Sequence, residues 1–230
     1  MKYIKFFILF GLLASFSANA LLEVNIIKSK EDSFPIVIAP FEMIGNFKED
    51  SDIAKIIRKN LNMSGQFDAK STNQLTTGPI DFDFYLKHKK DAIVLGKIRQ
   101  ISSNVNHAEI YIYDVLTQKP LYRNKIAFTN GALRKTAHAL SDVIYYALLG
   151  QKGSFNTKLS FVTVNEEKNG KRKYRLVISD WDGKNQQVII GSDDPILSPA
   201  WSADQRKIAY VSFKNNRSDV FVKYVFQNTN

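Results

Sequence analysis

From Lys158 onward helical periodicity disappears, and this change of texture constrains the fold more than any other feature of the chain. The pattern predicts short strands at residues 159–164, 174–180, 187–190, 207–213 and 219–226, joined by turns rich in Asp, Asn and Gly. The strands repeat. Residues 160–164 (Ser-Phe-Val-Thr-Val) align with 209–213 (Ala-Tyr-Val-Ser-Phe) at an offset of 49, and 176–180 align with 220–224 at an offset of 44. The offsets differ because nine residues link the first pair of strands and four link the second. An all-β repeat of about 45 residues has the period of a propeller blade, which usually has four strands.

The other end of the chain reads as a leader. Residues 1–20 carry Lys2 and Lys5, an apolar run over 6–16, and a closing Ala18-Asn19-Ala20. That is the layout of a signal peptide cleaved between Ala20 and Leu21. The apolar run is short of the roughly 20 residues of a membrane span. No cysteine follows the cut to carry a lipid, and none occurs elsewhere, which excludes disulfides, zinc–thiolate sites and thiol nucleophiles. The mature chain would have 210 residues and a charge of +8, against +10 for the whole sequence. Export points to the periplasm and away from nucleic acid, the first partner a pI near 9.6 suggests.

Between these ends lies an α/β pattern. Residues 21–34 form an extension with an apolar, strand-like start and a polar tether. Residues 35–41 (Pro-Ile-Val-Ile-Ala-Pro-Phe) predict a strand buried on both faces. A helix capped by Asp50 or Ser51 carries Ile53, Ile56, Ile57 and Leu61 on one face and stops at Gly65. Residues 72–79 read as a loop, 81–88 as a short helix and 91–98 as a strand. Residues 108–116 and 121–128 read as a hairpin turning through Gln118, Lys119 and Pro120. A last helix starts at Thr129 or Asn130, carries Leu133, Ala137, Leu140, Ile144 and Leu148, and ends at Gly150. The expected class is a mixed α/β (α+β) domain over 35–150, followed by an incomplete propeller over 158–230.

Residues 197–213 run Leu-Ser-Pro-Ala-Trp-Ser-Ala-Asp-Gln-Arg-Lys-Ile-Ala-Tyr-Val-Ser-Phe. This segment resembles the blade motif of the TolB family, Pro-x-Trp-Ser-x-Asp ahead of a strand. Pro199, Trp201, Ser202 and Asp204 occupy the motif positions. Trp201 can plug the seam between blades, while Ser202 and Asp204 can hold the tight turn. Gln205 stands where the family usually has Gly, so a turn needing positive φ would be costlier here or differ. Residues 179–186 (Ser-Asp-Trp-Asp-Gly-Lys-Asn-Gln) resemble the family's first-blade turn, and 35–41 its first core strand.

The resemblance implies a non-enzymatic periplasmic protein of the Tol-Pal system, supporting outer-membrane integrity and invagination during cell division. It implies a Pal-type peptidoglycan-associated lipoprotein and a TolA-type inner-membrane protein as partners. The TolA-type segment would be Leu21, Leu22, Glu23, Val24, Asn25, Ile26 and Ile27. From the residues alone, the segment suits either pairing with a partner's sheet edge or packing on its own domain. A six-bladed ring is implied, whereas 158–230 supplies about one and a half blades of about 42 residues each. The expectation is therefore a truncated product with an open, apolar edge and a poorly ordered or incomplete propeller part.

No catalytic, metal or cofactor pattern stands out. His88, His107 and His138 lack metal-ligand spacing and read as solvated or satisfied. Asp180, Asp182, Asp193 and Asp194 read as turn residues, because their spacing is not that of a calcium loop. The basic runs 87–90 and 168–173 read as solvated loops. Two alternatives stay open: a fragment of a propeller-containing periplasmic hydrolase, although no G-x-S-x-G elbow occurs, and a module binding anionic envelope polymers.

Overall fold

In the computed structural model, which describes residues 33–47, 52–73 and 78–225, the run around Ile36 lies inside a six-stranded sheet. Strand β1 (Phe34–Ile38) turns Ile36 and Ile38 to one buried face and Val37 to the other, as its unbroken apolar run predicts. The strand stops short of the expected Phe41. Pro40 has no N–H to give the ladder, and a second short strand, β2 (Glu42–Ile44), resumes along the same edge of β4 (Ala92–Gln100). Phe41 packs into the break against Gly96, where an added Cβ would lie 2.2 Å from the ring. Only glycine permits that approach.

Helix α1 (Ile53–Met63) buries Ile53, Ala54, Ile57 and Leu61. Its cap is Asp52, whose Oδ1 accepts the Lys55 N–H at 2.9 Å, rather than Asp50 or Ser51, which lie outside the described residues. Strand β3 (Phe67–Ser71) follows and runs parallel to β1. The sequence did not predict it, because only Phe67 and Ala69 face inward and the other positions are polar. Helix α2 (Phe82–Lys87) covers the opposite face of the sheet through the buried Tyr85. Strands β4, β5 (Val105–Asp114) and β6 (Pro120–Thr129) form a meander, giving the order β3-β1-β4-β5-β6.

Helix α3 (Leu133–Leu149) lies beside α1 on the sheet, and Leu133, Ala137, Leu140 and Ile144 are fully buried there. It begins four residues later than Thr129 and has no side-chain cap. Thr129 still pairs with Val105 in the sheet, and the Asn130 amide is spent on Asn106 and the Ser103 carbonyl. Gly150 ends the helix in the left-handed region, as expected. The polar segment after it is stitched down. Both oxygens of the Asp142 carboxylate accept backbone N–H groups, from Phe155 at 2.7 Å and Asn156 at 3.1 Å, and Phe155 is buried in the main core.

Two antiparallel three-stranded sheets complete the described chain. The first contains β7 (Lys158–Glu166), β8 (Arg172–Asp180) and β9 (Gln187–Ser192). The second contains β10 (Ile196–Trp201), β11 (Lys207–Ser212) and β12 (Asp219–Tyr224). Both are formed through Tyr224, and among the described residues no sheet closes into a ring. Leu176 and Ile178 from the first meet Ile196 and Ile208 from the second in a shared core. The aligned segments correspond, β7 to β11 and β8 to β12. Strand β10 was not predicted. It contains Pro199 and a register shift between Leu197 and Ala200, and it lies at a sheet edge, where proline is tolerated. On β12 every residue is exposed, Val220 by 72% and Val222 by 60%. Among the described residues, no helix is long and apolar enough to cross a membrane.

Candidate functional site

A buried polar assembly joins α1 and α3 to the β8–β9 turn. Helical periodicity gives each helix an apolar stripe, but Asn60 on α1 and His138 and Ser141 on α3 interrupt those stripes and are buried. The Asn60 Nδ2 donates to Ser141 Oγ at 2.8 Å and lies 2.9 Å from His138 Nδ1. Trp181, at the tip of the turn, sends its indole N–H between Asn60 Oδ1 and His138 Nδ1, 3.2 Å from each. The indole stands edge-on to Phe155 with centroids 5.0 Å apart. Two N–H groups aimed at Nδ1 make it the unprotonated ring nitrogen, so the proton sits on Nε2. That Nε2 is buried without a partner.

Charge surrounds this cluster. One guanidinium nitrogen of Arg134 bridges both oxygens of Asp182 at 2.6 and 2.5 Å, and Nε reaches Asp180 at 3.2 Å. Lys158 Nζ lies 2.6 Å from the other Asp180 oxygen, and Asn185 donates to Asp180 at 2.6 Å. The Asp182 side chain is only 1% exposed. Burial works against ionising both aspartates, but the bonds from Arg134, and from Lys158 on Asp180, outweigh it and hold both carboxyls below the usual range. Burial and the neighbouring Arg134 push the His138 imidazole below its ordinary value.

His138, Asp180 and Asp182 bring ligand-type atoms within 4.8 Å of one another, the composition of a metal site. Arg134 and Lys158, however, already take up both carboxylates. The cluster is built as a clasp between two parts of the chain rather than as a reaction centre. Sequence reasoning treated Asp180 and Asp182 as turn residues and His138 as solvated or satisfied. The overlooked signals were a tryptophan inside a polar turn and polar residues on two apolar helix stripes.

The motif residues sit in and after β10, where Trp201 and Ser202 line a pocket together with Lys158 of the clasp. Trp201 packs against the core shared by the two small sheets. Pro199 stands in β10 beside the register shift. In the turn that follows, Ser202 Oγ donates to Asp204 Oδ1 at 2.5 Å and accepts the Lys207 N–H at 3.0 Å. Asp204 Oδ1 also accepts the Arg206 N–H at 3.1 Å. Gln205 sits at φ +57, so the turn keeps the left-handed geometry that glycine would suit. We expect Gln205→Gly to raise stability by up to about 1 kcal/mol, the left-handed penalty of about 1–2 kcal/mol less glycine's entropy cost. A melting curve unchanged or lowered would show that this turn is not strained.

Two family models match the chain in tandem: the TolB amino-terminal domain over residues 22–121 and the TolB beta propeller domain over 145–229. The chain belongs to the TolB family. Among curated proteins it is 49% identical over 209 residues to the Tol-Pal system protein TolB of Ruthia magnifica subsp. Calyptogena magnifica, covering 91% of this chain and 49% of that one. It is 47% identical to the protein of the same name from Vesicomyosocius okutanii, covering 90% and 49%. The crystal structure of TolB from Acinetobacter baumannii superposes with a TM-score of 0.72 at 31% identity, over 84% of this chain and 47% of that one. The chain thus spans about half the length of the relatives it matches. In this TolB-family chain the clasp joins residues of both matched regions, Asn60 to Trp181. Ala20 and the segment from Leu21 to Ile27 lie outside the described residues.

Proposed function

We propose that the chain acts as a non-enzymatic periplasmic scaffold of the Tol-Pal system. In this reading it docks a Pal-type lipoprotein and a TolA-type protein, and so supports outer-membrane integrity and invagination during division. The observation that carries the proposal is the tandem of TolB amino-terminal and TolB propeller matches on one chain, in the same order as in proteins named for the Tol-Pal system. The signal-peptide layout of residues 1–20 supports export. The clasp supports a scaffold role, since its ion pairs and buried hydrogen bonds fix the position of one element on another.

The TolA-type contact is assigned to Leu21–Ile27, apolar and strand-like behind a polar tether, suited to adding a strand to a partner's sheet. Deleting residues 21–30 is expected to abolish capture of a TolA-type partner in a pull-down while the circular dichroism of the remaining chain is unchanged. Undiminished capture would refute the assignment. Pal-type docking is tested separately, by pull-down with the intact chain.

A further inference from the structure

We infer that His138 makes the clasp acid-labile, so that protonation of its imidazole releases the β8–β9 turn from α1 and α3. The geometry excludes a comfortable imidazolium. A proton on Nδ1 would face two N–H donors, Asn60 Nδ2 at 2.9 Å and Trp181 Nε1 at 3.2 Å. Turning the Asn60 amide over would offer its oxygen to the ring. It would also swing the NH2 toward the indole N–H, which now donates to that same oxygen, and cost Asn60 its bond to Ser141. Ser141 would have to give up its bond to the Ala137 carbonyl to follow. Every arrangement with a charged ring therefore loses at least one buried hydrogen bond.

The surrounding charges do not rescue the cation. Arg134 on α3 is a like charge, with Lys158 on β7 and Lys59 on α1 beyond it. Asp180 and Asp182 on the turn attract an imidazolium, but Arg134 holds both and Lys158 holds Asp180. Burial is the main cause, and Arg134 the second, of a folded-state value below the ordinary 6.5. The sign follows. An opened clasp takes up the proton first, so closure loses stability as pH falls from about 6.5 toward the lower value of the closed state, by up to tenfold in the opening constant per pH unit. Asp180 and Asp182, held below 3.8, stay ionised through this window, so the acid response there is not theirs. Asp142, on the same helix, is raised by burial and so acts with the opposite sign.

The test uses the 15N-labelled chain, followed by NMR between pH 7.5 and 4.5. At neutral pH the His138 ring should show the Nε2–H tautomer. On acidification the Trp181 indole N–H resonance should move or broaden with the same midpoint, below 6.5, as the His138 ring. Asn60→Asp replaces the donor by an acceptor, so it should raise the His138 midpoint above 6.5 and remove the acid response of Trp181. A His138 titration that leaves the Trp181 indole unchanged would overturn the inference. So would an Asn60→Asp chain whose Trp181 responds as before. If Asn60→Asp does not fold, the co-titration in the unaltered chain decides alone.

Discussion

Replacing Arg134 with methionine is expected to lower the stability of the chain by about 3–5 kcal/mol, the usual cost of stranding one partner of a buried ion pair. Methionine retains most of the side-chain volume, so the loss reports charge rather than packing. Asp182 is the stranded group, with its side chain 1% exposed and Lys59 at 3.9 Å as its nearest remaining cation. A double-mutant cycle with Asp182→Asn should recover most of the loss, because the asparagine needs no counter-charge. The pH profile adds an independent check. Arg134 helps hold Asp180 and Asp182 below 3.8, so its stabilisation is present above that value and disappears as pH falls through the folded-state values. The curves of wild type and Arg134→Met should therefore converge in acid. A loss below about 1 kcal/mol at neutral pH, the range of surface pairs, would mean that the clasp is superficial.

Trp181→Ala is expected to cost about 3–5 kcal/mol. The substitution empties the space against Phe155 and leaves Asn60 Oδ1 and His138 Nδ1 without the indole donor. Trp181→Phe separates these contributions. It keeps an aromatic edge on Phe155 and removes only the N–H, so it should cost about 1–3 kcal/mol. Thermal or denaturant unfolding followed by circular dichroism measures both variants. If alanine and phenylalanine cost the same, the indole acts through its hydrogen bonds alone. If neither costs more than 0.5 kcal/mol, about the effect of an ordinary surface change, the turn does not hold the helices.

The Arg134 and Trp181 contacts also mark the limit of sequence reasoning. Helix α3 was legible because Leu133, Ala137, Leu140 and Ile144 recur on one face, and the left-handed Gly150 ends it. The turn after Trp201 was legible because Ser202 and Asp204 act on backbone groups within five residues of themselves. Strands β3 and β10 were not legible. Each contains polar residues or a proline that weaken the local signal, and each forms because a neighbour supplies the ladder, β1 for β3 and β11 for β10. The start of α3 was misplaced for a related reason. Thr129 and Asn130 are good caps in isolation, but strand pairing and a side-chain bond to Asn106 claimed them first.

By itself the sequence determined the family resemblance, the blade repeat and the helical stripes, all of which rest on interactions spanning a few residues or on a fixed period. The tertiary structure alone decided the clasp. Asn60 and Trp181 are 121 positions apart, and Arg134 is 48 from Asp182. Asn60, His138 and Ser141 gain meaning only where two helices and one turn converge, because a buried polar group is tolerated only when the fold brings its partner to it.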